Sequence, residues 1–154
     1  MVVMKAKYPV TYEGHPTPPV EGDMLIWRNG QWVKHKAAYS ALPSVVGGET
    51  IWNPLEGLNR TISFEGSITI KIGKDYGDNS GWIKNGMFGN LIINSGPAAP
   101  FPSITLAPYI DEGTVAEVFG NGILSSLSTG IWHLCWVYDG TRVTYNIAKY
   151  DDTF

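Results

Sequence analysis

The chain has little charge and almost no cysteine. Of its 154 residues, 16% are charged, well under the quarter usual for a globular domain. Its single cysteine, Cys135, excludes an internal disulfide framework and a cysteine-built metal cluster. No apolar run is long enough to cross a bilayer, and the opening stretch Met1–Val10 lacks the apolar core of an export signal, so no membrane insertion is expected. Sustained helical periodicity is missing, as are internal repeats, heptads and low-complexity tracts. Glycine (18), proline (10) and aromatic residues (12%) are plentiful instead. That mixture suits short strands joined by tight turns, and the expected class is all-β.

Charge is also unevenly placed. Residues 1–40 hold Lys5, Lys7, Arg28, Lys34 and Lys36 against Glu13, Glu21 and Asp23, a balance of +2; the total of −3 leaves −5 on the remainder. A mildly basic arm on an acidic body points to docking on an acidic protein surface. The eleven basic residues are scattered singly, which gives no stripe to follow a phosphate backbone, so no nucleic-acid partner is expected.

The clearest local signal is Ile131 to Ala148, I-W-H-L-C-W-V-Y-D-G-T-R-V-T-Y-N-I-A. Asp139-Gly140 marks a hairpin turn, and a two-residue turn there would pair Tyr138 with Thr141, Trp136 with Val143, Leu134 with Tyr145 and Trp132 with Ile147. Alternation then assigns Trp132, Leu134, Trp136, Tyr138, Val143, Tyr145 and Ile147 to a solvent-inaccessible core face. His133, Cys135, Arg142, Thr144 and Asn146 fall on the wet face. A smaller hairpin, Met24 to Lys34, turns at Asn29-Gly30 and sets Trp27 opposite Trp32. Before it, Pro9, Pro16, Pro18 and Pro19 make Met1–Asp23 an extended arm.

Further strands are expected at Thr61–Glu65 and Ile68–Ile72, joined as a hairpin by a three-residue loop that keeps Ile62, Phe64, Ile68, Ile70 and Ile72 on one face. Others follow at Asn90–Asn94, Ser103–Ile110, Val115–Phe119 and Ile123–Ser128, with a short one at Trp82-Ile83 and a connector from Ala37 to Leu58. Such spacing predicts an antiparallel β-sandwich, jelly-roll-like, over residues 41–154, preceded by an arm-plus-hairpin unit over 1–40.

Three segments carry a resemblance. Ile131 to Tyr145 is similar to the closing hairpin of the β-sandwich tip module of bacteriophage tail fibres and related virion surface proteins. T-I-S-F-E-G-S-I-T-I-K-I (Thr61 to Ile72) looks like the opening strands of that module, and G-D-M-L-I-W-R-N-G-Q-W-V-K (Gly22 to Lys34) resembles a short hairpin of phage fibre chains. The resemblance implies a non-enzymatic virion structural protein, a short surface fibre or head decoration, made in the host cytoplasm. It implies a homotrimer. Residues 1–23, proline-rich, mildly basic and too poor in apolar side chains for a core of their own, are expected to carry attachment to other virion proteins. A tail-fibre or baseplate receptor-binding protein is the alternative within the family; a carbohydrate-binding module of a cellular enzyme is the alternative outside it.

Candidate chemistry is sparse. Asp75 to Gly81, D-Y-G-D-N-S-G, is the best polar loop. Asp75, Asp78 and Asn79 offer too few oxygens, at the wrong spacing, for a calcium loop. An exposed turn accounts for the same residues. With Trp82 beside it, the loop fits a host-surface saccharide better: Tyr76 and Trp82 to stack on sugar faces, Asp78 and Asn79 to meet hydroxyls. Trp52 and Trp82 are the two tryptophans in loop-like surroundings. His133 and Cys135 lie two apart on one strand face, but no third ligand completes a metal set, so no metal or cofactor is expected. Neither G-x-S-x-G nor H-E-x-x-H occurs. The acidic pairs Asp111-Glu112 and Asp151-Asp152 are adjacent residues that strand geometry would turn apart, so no catalytic residue is assigned.

Overall fold

The computed structural model describes residues 24–28, 31–35, 39–43, 48–54, 56–64, 66–74, 82–97, 101–122 and 124–153, the first two segments by backbone alone. The arm of residues 1–23 lies outside them. All regular structure among the described residues is β. The strands are β1 Met24–Arg28, β2 Gln31–His35, β3 Ser40–Ala41, β4 Glu49–Trp52, β5 Asn59–Phe64 and β6 Ile68–Ile72, then β7 Phe88–Ser95, β8 Ile104–Pro108, β9 Glu117–Gly120, β10 Gly130–Tyr138 and β11 Arg142–Asp151.

β1 and β2 form the expected hairpin, with Trp27 opposite Trp32. The remaining strands build a six-stranded sheet in the order β3-β5-β7-β10-β11-β9 and a three-stranded sheet in the order β4-β6-β8. From β3 to β8 the chain enters the two sheets alternately, so the neighbour of each strand is the next but one in sequence. A parallel pair needs a crossover rather than a tight turn, and here that crossover is a strand of the opposite sheet. Thus β3–β5, β5–β7, β4–β6 and β6–β8 are all parallel. So is the edge pair β9–β11. Among the described residues, antiparallel ladders are confined to β1–β2, β7–β10 and β10–β11, with one isolated antiparallel bridge between Tyr109 and Val115. The antiparallel expectation therefore holds only for part of the six-stranded sheet. β5 and β6, read as one hairpin, sit in different sheets, yet Ile62, Phe64, Ile68, Ile70 and Ile72 are all buried as expected.

The two sheets share one core. Ile62, Leu91, Ile93, Leu134, Trp136 and Val143 face it from the larger sheet, and Trp52, Ile70, Ile72 and Leu106 from the smaller. Trp52 was expected on a loop; it is instead fully buried, its ring 5.6 Å from that of Trp136 at 84°. Edge-to-face geometry of this kind is favourable for aromatic quadrupoles. The Trp52 indole N–H donates to Gly57 O at 2.9 Å, which satisfies its polar atom. The Ala37–Leu58 connector thus contains two strands, β3 and β4. Ile123–Ser128 and Trp82-Ile83, both expected as strands, form none among the described residues.

The β10–β11 hairpin keeps its faces but not its register. Trp136 is opposite Tyr145 and Tyr138 opposite Val143, a shift of two residues from a two-residue turn. A two-residue slip preserves the alternation, whereas a slip of one would invert it. The Asp139 carboxylate causes the wider turn, accepting the Thr141 and Arg142 N–H groups at 2.8 Å each. Those two hydrogen bonds, Arg142 first, hold its pKa below the usual carboxylate value. Tyr138 OH closes the loop by donating to Gly140 O.

One core-side residue is a cation. Arg60 is 5% exposed, donates through Nη2 to Ala41 O at 2.8 Å, and leaves Nε without a partner. Burial lowers its pKa, with Glu56 opposing in part. A buried guanidinium with one neutral acceptor costs more in desolvation than it regains. Arg60→Met should therefore raise stability by about 1 kcal/mol, net of the lost hydrogen bond. A urea midpoint at or below that of the unsubstituted chain would show that Arg60 is a net stabiliser.

Candidate binding site

The small sheet has only three strands, and it does not cover the whole inner face of the larger one. At the Gly130 end of β10 and the Asp151 end of β11, residues 121, 122 and 124–129 serve as the cover. Tyr145 OH donates to Gly122 O at 2.7 Å and the Trp132 indole N–H to Ser128 O at 2.9 Å. Leu127 is buried; its N–H donates to Pro102 O, and its carbonyl accepts from the buried Ser95 hydroxyl at 2.7 Å. Gly122 has to be glycine, because a Cβ there would lie 2.4 Å from Ile147 Cγ2.

Between this cover and the strands lies an open groove of about 560 Å³, lined by Gly122, Ser125, Ser126, Leu127, Trp132 and Ile147. Ser125 and Ser126 are exposed, whereas Trp132 and Ile147 are half-buried. Ser126 has φ of +56°, the one positive value among described non-glycine residues, and its N–H donates to Ser103 Oγ at 3.3 Å. Non-glycine residues held in that region are uncommon and gather at functional sites. Lys149, opposite Trp132 in the ladder, places Nζ 5.9 Å from the centre of the indole ring. The same ammonium pairs with Asp152 at 2.7 Å and donates to Ser128 Oγ at 3.2 Å. The groove therefore offers an indole of fixed orientation, two free-standing hydroxyls and a cation at its rim.

This corrects the expectation that the whole aromatic face of the hairpin is inaccessible. Leu134, Trp136, Tyr138 and Val143 are buried; Trp132, Tyr145 and Ile147 are only partly so. Sequence alternation identifies the face a side chain is on but not how far the opposing layer extends. The available signal was the serine-rich run Leu124–Thr129 just before Trp132, which supplies too few apolar side chains to seal the end of the core.

Of the residues chosen from the sequence, Tyr76, Asp78 and Asn79 lie outside the described residues. Trp82 is half-buried at the other end of β10. Its neighbour Ile83 donates to Tyr109 O, and Gly86 donates to Tyr138 O beside the Asp139 turn. Trp82 is thus not brought to the groove. His133 and Cys135 face away from the core, with Nε2 and Sγ 3.6 Å apart. Among the described residues no group of three His, Cys, Asp or Glu side chains converges. Asp111 and Asp151 instead accept hydrogen bonds from Gly113 and Thr153 within their own turns. Comparison with protein-family models, curated proteins and solved structures finds no match to this chain.

Proposed function

We propose that this chain is a non-enzymatic surface protein of a bacteriophage virion. In this reading it is a short fibre or head decoration, anchored through residues 1–23, whose two sheets form a β-sandwich that holds a host-surface saccharide. The half-exposed Trp132 indole in an open groove beside Ser125 and Ser126 carries the saccharide part. An aromatic face stacks on the C–H face of a sugar ring while hydroxyls meet its hydroxyl rim, and the indole is fixed in place by its bond to Ser128 before any ligand arrives. The virion part rests on the resemblance of the three segments quoted above.

Binding of host-surface oligosaccharides can be titrated by the fluorescence of the chain and by calorimetry. Trp132→Ala should weaken binding at least about tenfold, the equivalent of 1.4 kcal/mol, whereas Trp82→Ala should leave it unchanged. Equal binding by both variants would move the ligand elsewhere, and binding lost only in Trp82→Ala would restore the 75–82 loop as the site. Virions labelled with antibody to this chain report its location independently: no label on intact particles ends the virion reading.

A further inference from the structure

The outer face of the six-stranded sheet, away from the core, is a second surface with unusual chemistry. Cross-strand register sets its residues in rows. In the first, Phe88, Val137 and Phe119 are 45%, 42% and 49% exposed, with Thr144 between the last two. The next row runs Asn59, Asn90, Cys135, Asn146, and the one after it Thr61, Ile92, His133, Ala148. In the last row, Ser63 and Asn94 lead to Ile131 and Asp151. Asp151 is the single ionised side chain in all four rows. Arg142 and Glu117 stand beyond the first row at the turn end, with the Arg142 guanidinium 5.5 Å from the centre of the Phe119 ring. Charge is thus confined to the perimeter of an uncharged centre.

Three observations bear on what covers this face. The smaller sheet covers only the other face, and Phe88, Val137 and Phe119 leave a row of large apolar side chains exposed on this one. Beyond residue 40 the chain carries a net charge of −5, so two copies repel one another except where charge is missing, which is here. Interface centres are depleted of ions and ringed by polar rims in the same manner. Finally, six strands about 4.8 Å apart, the central ones rising about 3.3 Å per residue, present on the order of 700 Å², close to the roughly 800 Å² per partner of a stable interface. Amide side chains can pair with their own kind, as Asn90 Nδ2 already does with Asn59 Oδ1 at 2.9 Å.

From these we infer that the outer face of the six-stranded sheet is the surface through which copies of this chain associate. A closed arrangement of two or three copies buries it. The groove at Trp132 opens on the opposite side of the sheet, so association leaves it free.

Light scattering and sedimentation of the full chain between about 1 and 50 µM test this, the range in which an interface of this size associates. The unsubstituted chain should show two or three times the single-chain mass. Val137→Lys and Ala148→Lys, at exposed positions that need not be repacked, should raise the dissociation constant at least tenfold while leaving the melting curve at low concentration unchanged. A single-chain mass throughout overturns the inference, as does association that both lysine variants leave intact. Cys135 gives a second readout: its reaction with a small maleimide should be slower in the associated chain than in the Ala148→Lys variant at a concentration where that variant has the single-chain mass. Equal protection in the two would mean that the face is covered within one chain, and would also overturn it.

Discussion

Trp136→Ala should cost about 3–5 kcal/mol of folding free energy, the range for removing a large aromatic from a packed core. The side chain is 2% exposed and joins the two sheets through its edge-to-face contact with Trp52. Its indole nitrogen is buried without a hydrogen-bond partner, and that unsatisfied donor offsets part of what the ring contributes. Trp136→Phe should therefore lose much less than Trp136→Ala. Chemical denaturation of the three proteins checks both statements. A Phe variant as unstable as the Ala variant would mean that the nitrogen is satisfied, by water or by a side chain that swings to it.

Gly89→Ala should cost about 2–3 kcal/mol, the opposite of what a strand position normally gives. Gly89 is directly across the ladder from Trp136. A Cβ there would stand 2.6 Å from Trp136 Nε1 and 2.7 Å from Trp52 Cζ2. Both are atoms of rings locked in the core, so neither can yield as the end of a flexible side chain would. The same contact makes the effect conditional. In a Trp136→Ala background the added methyl should be tolerated, and the double-mutant cycle should show a coupling of about 1–3 kcal/mol. Additive losses would place the strain in the backbone rather than in the indole pair.

The parts of this fold that could be read from the sequence are those specified by neighbours along the chain. β6 follows from strict alternation over Ile68–Ile72, and the register of the β1–β2 hairpin follows from Asn29-Gly30. The buried positions of β10 follow from period two as far as Trp136 and Leu134. The rest depends on partners that leave no local trace. Ser40 pairs with Arg60, and Asn59 with Asn90, and no turn signal links residues so far apart. The slip of the β10–β11 register was hidden for a different reason: Asp-Gly favours a two-residue turn, but the Asp139 side chain captures two backbone N–H groups and widens it. Trp52 was misplaced because Asn53-Pro54 follows it. That turn begins only after the indole has entered the core and found Gly57 O.

The site was less legible than the fold. The groove exists because one sheet is wider than the other, a property of how many strands each sheet receives. Trp132 and Trp136 have the same residue type and the same face, and they differ only in what lies above them. No pattern within Ile131–Tyr138 separates the two, whereas the β10–β11 part of the outer face follows from alternation as His133, Cys135, Arg142, Thr144 and Asn146 and lacked only its neighbours.

The alternating path of the chain between sheets also bears on how this protein is made. Among β3 to β9, no strand pairs with the one next to it in sequence, so each ladder must close a long loop before any hydrogen bond rewards it. The β10–β11 hairpin of the body is the exception, able to form within microseconds, and it is the last part of the described chain to leave the ribosome. Earlier strands such as β7, with its run of Leu91 to Ile93, emerge with β5 available on one edge but before β10, the partner of the other. A nascent chain halted before residue 130 would display unpaired edges suited to capture by chaperones, and refolding of the full chain should be slow for its size.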